Sequence, residues 1–69
     1  MPLALLGTGL RRKIKSVHGD AAVRKHLTEL GFVEGAEVEV IAENGGSLIV
    51  GLYGSRLAIN ADIAQKIFV

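Results

Sequence analysis

The chain has 69 residues, 49% of them hydrophobic, and its 8 Lys+Arg against 7 Asp+Glu leave a formal charge of +1. One small domain spanning residues 1–69 is all that this length holds, and such a domain buries only about 60% of the surface of its unfolded chain. The lack of cysteine excludes disulfides and thiolate metal sites, the near-neutral charge argues against a nucleic-acid binder, and no run approaches the roughly 20 apolar residues that span a bilayer.

Leu3, Leu5 and Leu6 form an apolar lead-in that ends at the turn signal Gly7-Thr8-Gly9, and residues 3–6 are expected to pack onto a barrel. The segment is too short, and lacks the basic start, of a secretory signal. Residues 10–18 predict a strand, but Ile14 and Val17 fall on opposite parities, so a bulge or sharp bend must interrupt it.

Gly19-Asp20 opens the one long helix, over about residues 20–30. Asp20 suits the N-cap, and Val23, Leu27 and Leu30 recur at i, i+4, i+7 on one face. Gly31 suits the left-handed position after the last turn, with Phe32 reaching back to Leu27. After the turn at Glu34-Gly35, Val38 and Val40 alternate with Glu37, Glu39 and Ile41 as a strand with one face inward. Asn44-Gly45-Gly46 is a hairpin signal, and Leu48, Val50 and Leu52 continue the alternation. Gly54-Ser55 predicts a second tight turn, Leu57 and Ile59 the next strand, Ala61 to Gln65 a helical turn capped by Asn60, and residues 67–69 a closing strand. The fold class is therefore mainly β: a small closed barrel of about five strands with one inserted helix (about 20–30) and a short helical turn (about 61–65).

The stretch Leu27-Thr-Glu-Leu-Gly-Phe-Val-Glu-Gly-Ala-Glu-Val-Glu-Val40 resembles the hallmark of the FeoA family, in which a helix ends in Leu-Gly-Phe or Leu-Gly-Met and a turn glycine precedes an alternating strand. Leu52-Tyr-Gly-Ser-Arg-Leu-Ala-Ile59 resembles the family's later strand pair, and Ala64, Ile67 and Val69 its apolar ending. The resemblance implies an SH3-like barrel. It also implies a cytoplasmic accessory protein of bacterial ferrous-iron uptake, recruited to the inner face of the membrane by a ferrous-iron transporter with a cytosolic GTP-binding domain. The same fold serves as the C-terminal barrel of iron-dependent repressors, so the fold alone does not decide the role. The chain departs from the pattern at Thr8-Gly9, where relatives often have Pro-Gly, at the tight Asn44–Gly46 loop, and at Asn60, where a basic residue is frequent.

The residues themselves offer no reaction centre. Ser16, Ser47 and Ser55 lack a Ser-His-Asp setting, and the Gly7-Thr8-Gly9 and Gly45-Gly46 pairs lack the lysine and the strand-to-helix context of a phosphate loop. No cofactor is called for. His18, Asp20, His26 and Glu29 are the candidate ligands for Fe²⁺ or another divalent transition metal, but no spacing makes the four converge, and Lys25 is positioned to pair with Glu29 instead. Phe32 and Tyr53 read as core or partly core residues, and three aromatic side chains are too few for a proline-peptide groove. Arg11, Arg12, Lys13 and Lys15 crowd the N-terminal third and Glu34, Glu37, Glu39 and Glu43 the middle, which reads as two solvated faces of opposite sign or as a bipolar surface that steers a charged partner.

Two functions follow. The first is a protein-interaction module that meets the transporter through the basic strand (Arg11, Arg12, Lys13) and the outer helix face (Arg24, Lys25, Thr28, Glu29). The second is a metal-sensing domain like the repressor barrel. A nucleic-acid-binding barrel resting on Arg11 to Lys15 has too little charge and too few stacking aromatics. Oligomeric state, and whether the chain activates or restrains its partner, stay open.

Overall fold

The computed structural model describes residues 1–69. A 3₁₀ turn at Leu3–Leu5 precedes β1 (Arg11–Lys13), β2 (Ser16–Val17), α1 (Ala21–Leu30), β3 (Glu37–Asn44), β4 (Ser47–Leu52), β5 (Ser55–Asn60), α2 (Ala61–Ala64) and β6 (Ile67–Phe68). The strands form an antiparallel sheet in the order β1-β3-β4-β5 and a second pair, β2-β6.

The expected interruption of the first strand is a complete change of sheet. Ile14 donates its backbone N–H to Ala36 O at 2.9 Å, while the next residue, Lys15, donates to Phe68 O at 2.7 Å. Two short strands therefore stand where one broken strand was expected, which raises the total to six. Ile14, only 1% exposed, plugs the junction.

The helix ends as its sequence dictates. Asp20 Oδ1 accepts from Val23 N at 2.9 Å, satisfying a first-turn amide. At the other end Phe32 N donates to Leu27 O at 2.9 Å and Gly31 N to Thr28 O at 3.0 Å, the bond pair of a Schellman ending. Gly31 sits at φ 104°, a conformation that favours glycine, and a Cβ there would press on the Tyr53 ring at 3.1 Å. The motif drives Phe32 wholly into the core.

The core is apolar throughout, with Leu3, Ile14, Leu27, Phe32, Val38, Val40, Val50 and Ile67 as its largest inaccessible side chains. Alternation holds along β3 and β4, where Val38, Val40, Leu48, Val50 and Leu52 point inward. The lead-in packs only in part: the 3₁₀ turn stacks Leu3 and Leu6 on the barrel and leaves Leu5 71% exposed.

Two expectations need correction. The helical stripe is not fully used, since Leu27 is buried and Val23 half-buried while Leu30 stays 42% exposed. The second tight turn lies at Tyr53-Gly54, because Leu52 and Ser55 are register partners and only those two residues remain between them. Tyr53 takes φ 51° and Gly54 φ 76°, the pair of positive angles that suits a two-residue hairpin. Tyr53 is thus 71% exposed and not a core residue.

Two stability outcomes are expected. Phe32→Ala should cost about 3–5 kcal/mol and leave the chain largely unfolded by circular dichroism, given how little stability so small a domain holds. Asp20→Ala should cost about 1 kcal/mol, read from the urea midpoint, with the fold retained.

Candidate interaction surface

With no polar or charged residue buried, every group capable of recognition lies on the outside. The outer face of the four-stranded sheet carries a cross-strand row in register, Arg11-Glu39-Gly51-Arg56. Arg11 Nη2 donates to Glu39 Oε1 at 3.1 Å. Lys13 stands opposite Glu37 one step along. The basic and acidic stretches are therefore adjacent strands whose charges interleave, and the two separate faces or bipolar surface read from the sequence do not form.

Gly51 makes this face a trough. Ile41 lies over it, and a Cβ on Gly51 would fall 3.2 Å from Ile41 Cδ1. A register shift between Val40 and Ala42 puts the additional residue Ile41 into β3 at this point. The open trough, about 810 Å³, also runs past Glu34, Glu37, Tyr53 and Arg56. Tyr53 reaches the surface because the turn lies at Tyr53-Gly54 and not at the expected Gly54-Ser55. Tyr is a poor guide to a left-handed position, whereas the alternation of Leu57 and Ile59 already turns Arg56 outward.

The expected contact residues do not form one patch. Alternation turns Arg12 away from Arg11 and Lys13, and Arg12 Nη1 donates to Arg11 O at 2.9 Å. Arg24, Lys25, Thr28 and Glu29 are exposed on α1, but Thr28 Oγ1 donates back to Arg24 O at 2.8 Å. Lys25 and Glu29 form no ion pair; Arg11–Glu39 is the one present. The absent pair has a physical reason: it would hold two long, solvated side chains in one geometry for little gain, and it runs in the weaker order with the lysine first.

The candidate metal ligands stay apart, and no three His, Asp or Glu side chains come together. Asp20 is engaged as the helix cap. His18 Nε2 and Ser16 Oγ share a hydrogen bond at 3.0 Å, and the ring meets Phe68 edge-on at 4.7 Å. His26 borders a smaller groove between α1 and β5.

Comparisons with known proteins agree with this architecture. The chain is 29% identical over 68 residues to a Methanocaldococcus jannaschii protein proposed as Fe(2+) transport protein A, covering 99% of this chain and 83% of that one. It matches the crystal structure of Stenotrophomonas maltophilia FeoA complexed with zinc, described as an SH3 domain protein, at TM-score 0.88 and 32% identity over 100% of this chain and 88% of that one. A manganese-dependent transcriptional repressor shares the fold at TM-score 0.91, with 17% identity, over 100% of this chain and 40% of the repressor.

Two outcomes test the surface. A double-mutant cycle on Arg11→Ala and Glu39→Ala should give a coupling of about 0.2–1 kcal/mol that shrinks in about 1 M salt, since Arg11 is 62% exposed. Tyr53→Asn should raise the stability modestly, by about 0.5 kcal/mol as read from the urea midpoint, because Asn tolerates the left-handed region better. A lowered midpoint would mean that the tyrosine ring's packing on Gly31 outweighs the backbone strain.

The FeoA domain model matches residues 1–69, and the chain belongs to the FeoA family.

Proposed function

We propose that this chain is a cytosolic, non-catalytic accessory protein of ferrous-iron uptake that acts by binding a membrane ferrous-iron transporter. The observation that carries this reading is the FeoA domain match, which takes up all of residues 1–69. The fold supports it: an apolar core holds no polar side chain for chemistry, so the chain acts through its surface. No helix is long and apolar enough to cross a membrane, which is why the membrane is assigned to the partner. The partner carries a cytosolic GTP-binding domain, and the candidate contacts are β1 (Arg11, Arg12, Lys13) and the exposed face of α1 (Arg24, Lys25, Thr28, Glu29).

A second reading, metal sensing, is favoured by the zinc in the Stenotrophomonas maltophilia neighbour and by the repressor fold. The residues of this chain fit it poorly. A closed metal site takes about four protein ligands, whereas His18, Asp20, His26 and Glu29 do not gather, and Asp20 and His18 already have local partners.

The test is an amide NMR titration of the labelled chain with the cytosolic part of its cognate transporter. Localised shifts on α1 or β1 are expected, and reversing Arg24 and Lys25 to Glu should weaken binding by about tenfold, chiefly at low salt. A titration without shifts would remove the docking reading. Anaerobic Fe²⁺ that instead bound tightly, and lost affinity in His18→Ala or His26→Ala, would favour metal sensing.

A further inference from the structure

The two edges of the four-stranded sheet are built differently. β1 is three residues long and carries three cations, both of which discourage a further strand. β5 runs for six residues with no proline, no bulge and Ala58 near its middle. It pairs only with β4, and apart from Asn60, which caps α2, no turn or loop backbone bond reaches its residues. In an antiparallel pair every second residue turns its N–H and C=O away from its partner. The two-residue turn closing on Leu52 and Ser55 puts that outward set at Arg56, Ala58 and Asn60.

Beside this edge lies a groove of about 200 Å³ between α1 and β5. Leu27, Leu30, Ile59 and Ile63 make it apolar, with His26 and Asn60 also lining it. Leu30 is the helix residue whose apolar position the barrel leaves uncovered.

We propose that the β5 edge and this groove accept an extended segment of a partner protein as a fifth strand, with one apolar side chain seated between Leu30 and Ile63. The free backbone groups of Arg56 and Ala58 supply the ladder up to Asn60, whose carbonyl is taken by the first turn of α2, and the groove selects the side chain, the division of labour in strand-addition recognition. The groove holds roughly seven water volumes, room for one large aliphatic side chain. A single strand suits the place better than a second copy, because α1 walls the groove and a second barrel would bring its own α1 to the same side. The inference rests on the reading that this chain docks on a protein, and it adds the mode and the chemistry of the docked segment.

The test titrates the isotope-labelled full chain with an N-acetylated, amide-capped octapeptide alternating Thr with Leu. Amide shifts should be confined to Arg56–Asn60, Ile63 and Leu27–Leu30, and the Ala58 amide should exchange rapidly in the free chain and slowly with peptide bound. Ala58→Pro removes an outward N–H without breaking a bond to β4, and affinity should fall by about tenfold or more. Leu30→Asp, on the opposite wall and already part-exposed, should do the same whether or not the proline variant folds. Absence of shifts at millimolar peptide, shifts elsewhere, or affinity unchanged in both variants would overturn the proposal. Shifts at Arg56–Asn60 on raising the protein concentration alone, with a dimer in sedimentation, would also overturn it by giving the edge to a second copy. Undiminished binding of the transporter's cytosolic domain to Leu30→Asp would overturn the mode while leaving docking intact.

Discussion

The barrel depends on one hand-over of backbone hydrogen bonds. At Ile14 and Lys15 the chain leaves the sheet of β1 and β3 and enters the pair of β2 and β6, with consecutive amides bonded to Ala36 and Phe68. No other strand spans both sheets, so the enclosure of the core between them turns on this step. Ile14 seals the corner from inside, and Gly35 N donates back to Ile14 O at 2.8 Å, so the β-turn before β3 is tied to the same point. The arrangement is a barrel left open at β5, whose outer edge stays unpaired.

The helix is attached to that barrel by little. Leu27 is its one buried side chain, and the Schellman ending delivers Phe32 directly into the core. Val23 is half-buried beside it and the rest of α1 stands in solvent, which leaves Leu30 and the charged outer residues exposed and also leaves a groove along β5.

Charge on the sheet face follows from pairing. Because β1 lies beside β3, Arg11 meets Glu39 and Lys13 meets Glu37, and the face is a mosaic with weak net field. Steering by a strong dipole is thereby ruled out for this face. What distinguishes this face is its shape, the trough over Gly51, and single groups such as Arg56 and Tyr53.

What the residues determined on their own is local. The cap at Asp20, the stop at Gly31-Phe32, the inward set Val38, Val40, Leu48, Val50 and Leu52, and the cap at Asn60 all rest on short-range rules that the chain obeys wherever it is placed. Family membership was legible for the same reason, since its hallmark is a contiguous helix-stop-strand pattern. Tertiary structure alone decided which segments became neighbours. It set β1 beside β3, so that opposite charges interleave; it placed the turn at Tyr53-Gly54, so that Tyr53 stands exposed; and it left Leu30 uncovered beside an unpaired edge. These outcomes turn on strand order and register between residues far apart in sequence, and periodicity cannot specify them because a pattern states which face is apolar without stating what that face will meet.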